Sequence, residues 1–229
     1  MNFLILVLFF CFLIFLYVIY LLSHDDFVIL RRDVSMEKIF NAAFLFAIAG
    51  LFFSRITYIF FNPSPVFNSF LGFILFPYFP GLSMIGGVIG GFGFVYLYFK
   101  SRNLPIGRLM DFFAMALLSS YPAGLIGTLV LSRYPLSWPF YFSILLSIIA
   151  LVIFIKYVLP FSLGGKLKDG TLSLIFFSSF SFIYILTNIS LSNFREIINA
   201  ENLLSFITLV ASFSFLVRME ELIKHIYRK

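Results

Sequence analysis

The sequence is poor in everything that builds a soluble, chemically equipped domain. It has one cysteine, Cys11, one tryptophan and two histidines in 229 residues. A lone thiol excludes an intrachain disulfide and any cysteine-built metal centre. Charged residues make up 11% of the chain, against roughly 25% in soluble domains. Long polar stretches are also missing, so residues 1–229 read as a single membrane domain. What is there is apolar: 62% of the chain, including 35 phenylalanines. A water-facing surface with that composition would expose large adhesive patches, so the surplus must face lipid. The net charge is +6. The basic residues stand between apolar runs, which points to topology and anionic headgroups rather than nucleic acid.

A spanning helix needs about 20 mainly apolar residues. Seven windows qualify, at about 3–22, 39–61, 82–99, 110–132, 139–159, 171–191 and 203–219. The expected fold is an all-α integral membrane protein, a seven-transmembrane-helix bundle. The first window is too long for a signal-peptide core and has no preceding lysine or arginine. Residues 62–81 hold four prolines and read as a connection able to dip into the bilayer where protein covers its backbone. Arg31, Arg32, Lys38, Lys100, Arg102, Arg108, Lys156, Lys166, Lys168 and the tail's Arg218, Lys224, Arg228 and Lys229 fall on alternate connections. The other side carries only Arg133 and Arg195. That asymmetry predicts an outward N-terminus and a cytoplasmic C-terminus. Trp138 and Tyr134 then fall at the outer interface. The tail from Met219 to Lys229 has amphipathic spacing.

Three stretches carry candidate chemistry. Gly81–Gly93 reads GLSMIGGVIGGFG, with overlapping pairs Gly86/Gly90 and Gly87/Gly91. Such pairs let helices approach closely, and bare backbone also admits a lipid. Leucine at Gly87 is expected to harm packing more than leucine at Ala116. Asp111–Arg133 contains Pro122, followed by Gly124 and Gly127; proline bends a helix by freeing a carbonyl. Asp111, beside Arg108, reads as a cap of its own helix start. The sixth window is rich in hydroxyls from Ser178 to Ser192, suited to interhelical hydrogen bonds or a polar cleft with Tyr184. Arg55 is the one charge well inside a span, and it needs either a partner or a route to the interface. His24, Asp25 and Asp26 read as a solvated cluster rather than a metal site. No metal or cofactor is expected.

GLSMIGGVIGG, LPIGRLMDFFA and GLIGT, at their spacing, resemble the core of the bacterial prolipoprotein diacylglyceryl transferases, which reads roughly GGLS-x-HGG-x-x-GG, LP-x-x-x-x-AD and GR-x-GN-x-x-NGE. Phe53-Ser54-Arg55 with Tyr58 resembles the family's G-A-R stretch. The resemblance covers residues 40–132. It implies a lipid cavity open to the bilayer of a bacterial cytoplasmic membrane. It also implies transfer of a diacylglyceryl group from phosphatidylglycerol to the lipobox cysteine of a lipoprotein precursor. The lipid-cleft candidates are then Arg55, Ser83, Gly86, Gly87, Gly90, Gly91, Gly124, Gly127, Thr128, Arg133 and Tyr184, with Asp111 and Pro122 structural.

The departures fall on the reactive positions. The expected histidine is Ile85, the expected arginine Leu125 and the expected asparagine Thr128. The NGE positions fall at Leu131, Ser132 and Arg133, and an R-x-x-x-E pair at Tyr184 and Asn188. A leaving phosphate gathers negative charge and needs fixed donors or a cation. Thiol attack needs a thiolate. Leu125 and Ile85 supply neither. Three functions stay open: a degenerate relative that binds lipid or lipoprotein, an active transferase using Arg55, Thr128, Tyr184 and Arg133, and a small transporter component.

Overall fold

The structure is a computed structural model that describes residues 4–64, 67, 72–73, 81–131, 138–191 and 199–220. Helices α1 (Leu4–His24), α2 (Phe27–Arg31), α3 (Met36–Phe61), α4 (Met84–Ser101), α5 (Ile106–Leu131), α6 (Trp138–Ile153), α7 (Leu159–Leu163), α8 (Thr171–Leu191) and α9 (Ala200–Met219) follow in chain order. Phe154–Val158 is a π turn that joins α6 to α7. Pro160 follows it at the start of α7, where it donates no amide to the preceding turn. Seven of these helical stretches are long and apolar enough to cross a membrane, α6 through α7 counting as one. No strand occurs among the described residues. The protein is therefore an all-helical, multi-pass membrane protein. The seven expected windows each match a helix, with ends displaced by a few residues. Most of 62–81, and Arg133, Tyr134, Arg195 and 221–229, lie outside the described residues.

Burial follows lipid rather than water. On α1, Ile5, Leu6, Phe9, Phe10 and Leu13 are exposed alongside Tyr17, as suits a helix that is apolar all round. On α9 the pattern is inverted: Asn202, Ser205 and Ser212 are its buried residues, while Leu203, Phe206, Ile207, Val210 and Phe213 face outward. The centre is α5, whose Phe112, Phe113, Ala114, Met115 and Ala116 are all buried. Around it the phenylalanines interlock. Phe46 meets Phe15, Phe92 and Phe113 with ring centroids 5.1, 5.1 and 5.7 Å apart, and Phe113 meets Phe99 at 5.4 Å. The Phe15 pair is stacked and the others are edge-to-face; such pairs add about 0.5–1.5 kcal/mol each beyond simple burial. Pro122 does not break α5, which is helical from Ile106 to Leu131.

Glycines set two close helix contacts. A Cβ on Gly86 would overlap Thr57, and one on Gly90 would overlap Phe53. A Cβ on Gly87 would lie 3.1 Å from the Gly50 carbonyl oxygen, and one on Gly91 2.9 Å from the Phe46 ring. These contacts join α3 to α4. On α5, Gly124 faces Cys11 and Gly127 faces Val7 of α1. The comparison with Ala116 needs correction. Ala116 is fully buried, so leucine there also overpacks the core. Gly93 is the neutral site, because nothing stands within 4 Å of its Cβ position. Gly90→Ala is expected to cost about 1–3 kcal/mol through overpacking, and Gly93→Ala to leave the thermal midpoint in detergent unchanged. Equal midpoints for the two variants would remove Gly90 from the contact.

Candidate functional site

The reactive positions of the resembled family are occupied by packing side chains. Ile85 is fully buried in the core, and Leu125 packs partly buried against it. The Thr128 hydroxyl donates to the Leu125 carbonyl on its own helix at 2.7 Å. Ser83 caps α4, its hydroxyl accepting from the Gly86 amide. An apolar groove of about 470 Å³ opens alongside, lined by α3, α4 and Leu204 of α9. Gly86, Gly90 and Gly93 form part of its wall. No lysine, arginine or histidine is among the described residues that line it.

Arg55 does not face this groove. It is 3% exposed, and its guanidinium is spent on backbone. Nη2 donates to the Gly72 carbonyl at 2.6 Å, Nη1 to the Gly81 carbonyl at 2.6 Å and Nε to the Phe73 carbonyl at 3.1 Å. The Phe67 ring lies 4.8 Å from its carbon centre. Gly81 allows this by having φ +145° and no side chain where Tyr58 stands. Three carbonyl dipoles stabilise the cation, with no acid beside it among the described residues.

At the opposite end of α8 from the basic connections, two polar pairs join α8 to α9. The Tyr184 hydroxyl donates to Glu201 Oε2 at 2.6 Å, and Asn188 Nδ2 donates to Asn202 Oδ1 at 2.8 Å. Nearby, the Tyr121 and Ser143 hydroxyls lie 3.4 Å apart, and the Tyr121 and Phe180 rings meet at 5.6 Å. The two positions where the family carries its R-x-x-x-E pair thus sit together, with the carboxylate on the other helix. The sequence reading missed Glu201 because its last window began at 203. The helix starts at Ala200, which places Glu201 in the first turn.

A second polar layer lies at the basic end. Asp26 is buried rather than solvated, which corrects the reading of the His24–Asp26 trio; only His24 and Asp25 are exposed, paired at 2.6 Å. Asp26 Oδ1 caps α2 through the Val28 and Ile29 amides, and Oδ2 accepts from Arg108 Nη2 and Nε at 2.6 and 2.9 Å. Asp111 does not cap its own helix. Its carboxylate accepts from the Gly170 and Ser173 amides at 2.8 and 2.7 Å, so it caps α8 across the bundle. Glu220, just past α9, accepts from the Thr171 hydroxyl and the Lys168 amide. The Thr171 bond, with the Lys168 contacts, holds its carboxyl below the usual carboxylate range against a smaller opposing effect of burial. Lys168 Nζ donates to the Met219 carbonyl. Among the described residues, no group of three metal-ligating side chains exists.

No protein-family model and no curated protein sequence matches the chain.

Proposed function

We propose that the protein is a lipid-binding relative of the prolipoprotein diacylglyceryl transferases that has lost the transfer chemistry. It resides in a bacterial cytoplasmic membrane with its basic face inside, as the charge asymmetry favours. The groove along α3 and α4 holds the acyl chains of a phospholipid, phosphatidylglycerol by the resemblance, and a lipoprotein precursor is the candidate partner. The observation that carries this reading is the pairing of an apolar groove, with no cation among its described lining residues, and a committed Arg55. No described residue lining the groove would meet a departing phosphate with a positive charge, and the family's histidine and arginine positions hold Ile85 and Leu125. Removing one electrostatic group of that kind costs about 100–1,000-fold in rate.

A second reading, an active enzyme with displaced groups, has one observation in its favour: Glu201 and Tyr184 retain an acid and a hydroxyl near the expected place. Arg55 and Thr128 are already engaged, which weakens it. The decisive experiment supplies the purified protein with phosphatidylglycerol and a lipobox peptide. Lipidated product is expected at the protein-free rate, and the protein is not expected to rescue a transferase-depleted strain. Phosphatidylglycerol is expected to co-purify. Gly93→Trp, at a groove-lining position whose Cβ meets no neighbour, puts its indole into the groove and should reduce the co-purified lipid while folded yield holds. Rescue of the strain would establish the enzyme reading, and unchanged lipid in Gly93→Trp would discard the groove.

A further inference from the structure

We propose that the seam between α8 and α9 is a water-bridged path for protons across the membrane. This activity is independent of the lipid groove. The buried residues of α9 are Asn202, Ser205 and Ser212, all polar. Helices in lipid use polar residues as occasional bonds between mainly small or apolar contacts. Here polar groups follow the seam along its length. From one end come the Tyr184–Glu201 pair, then Ser205, whose hydroxyl donates to the Glu201 carbonyl at 2.8 Å. Ser178 and Ser212 lie further along, their hydroxyl oxygens 2.9 Å apart. The Ser178 hydroxyl also reaches the Leu174 carbonyl at 3.0 Å. Leu174, with Phe215, Arg218 and Met219, lines an opening of about 340 Å³ at the basic end. The seam therefore has a carboxylate at one end and a mouth at the other.

Interhelical adhesion accounts for the paired groups but not for Ser181. Its side chain is fully buried, and its hydroxyl oxygen has no hydrogen-bond partner among the described residues. Ser181 lies three residues from Ser178 and seven from Asn188, on the face of α8 that carries the contacts to α9. Such a hydroxyl calls for a buried water. No hydrogen bond joins Ser181 to Ser178 among the described residues, and a water between them would satisfy the Ser181 hydroxyl. Ser178, Ser205, Ser212 and Thr208 donate to carbonyls of their own helices, so their oxygens remain able to accept. A proton entering at Glu201 passes by exchange: each water takes one proton and gives up another, and no bond beyond O–H is made or broken. The membrane potential or a pH difference supplies the drive. The titratable and charged groups facing the path are Tyr184 and Glu201 at one end and Lys168, Arg218 and Glu220 at the other. Arg218 is exposed at the mouth; as a fixed cation there it opposes entry of metal cations.

The test places the purified protein in liposomes that hold a pH-sensitive dye and imposes a potassium diffusion potential. The wild type should acidify the lumen faster than protein-free liposomes do. Glu201→Gln keeps an acceptor for Tyr184 but cannot carry a proton, and its rate should fall to that of protein-free liposomes. Ser181→Val should do the same by excluding water. Ser214→Val, on the exposed face of α9, should conduct like the wild type. A wild-type rate equal to that of protein-free liposomes overturns the path, and so does full conduction by Glu201→Gln. Should Ser181→Val fail to fold, the wild type and Glu201→Gln decide the matter.

Discussion

Arg108→Met is expected to lower stability by about 3–5 kcal/mol, because it strands a buried carboxylate. Arg108 is 6% exposed and Asp26 equally so. One guanidinium edge gives two donors to Asp26 Oδ2, while Nη1 reaches the Ser162 carbonyl at 3.1 Å and Asp169 at 3.5 Å. The residue thereby links the α1–α2 junction, α5, α7 and the connection into α8. Lysine cannot replace this fork, since an ammonium is a point donor, so Arg108→Lys should recover only part of the loss. Asp26→Asn keeps the cap on α2 and removes the charge. The double variant Asp26→Asn/Arg108→Met should therefore be more stable than Arg108→Met alone, a positive coupling in the double-mutant cycle. Thermal midpoints in a fixed detergent measure all four proteins. A midpoint for Arg108→Met within a degree or so of wild type would show that the pair is dispensable.

Element count was legible because the bilayer imposes it. Each span must supply its own backbone bonds over about 30 Å of hydrocarbon, so apolar length alone located seven helices. The glycine pairs were legible as close contacts because no other residue leaves room. Which groups the polar residues bind was not legible. Asp25 and Asp26 are identical in local sequence terms, yet one is exposed and the other meets Arg108, 82 residues away. Asp111 stands next to a helix start, and local logic assigns it to that start. Because α5 begins at Ile106, Asp111 is already beyond the first turn and reaches the amides of α8 instead. At the candidate site, the losses at Ile85 and Leu125 could be read directly. The meeting of Tyr184 with Glu201 could not, since it depends on how two helices register. The hydroxyls of α8 were recognised as interhelical groups, and Ser178 with Ser212 fits that. The orphan at Ser181 has no sequence signal at all, because an unmade bond depends on what fails to face it.

Arg55 poses the sharpest choice between a structural and a ligand-binding cation. If it bound a phosphate headgroup, lysine would preserve much of its role, since lysine also serves phosphate as a point charge. If its role is to hold three carbonyls at once, lysine must fail nearly as badly as methionine. The geometry favours the second case: Gly72, Phe73 and Gly81 each accept from a different nitrogen of the same planar group. Leaving a buried carbonyl unpaired costs about 1–3 kcal/mol. Arg55→Met is therefore expected to lose about 3 kcal/mol or more, with Arg55→Lys close behind. Phosphatidylglycerol retained by the folded fraction of Arg55→Lys should match the wild type, because the groove wall contains no contribution from Arg55. Two readouts thus separate the roles. Lost stability with retained lipid assigns Arg55 to the backbone around Gly81. Retained stability with lost lipid would return it to the headgroup and restore a cation to the site, and with it the case for phosphate chemistry.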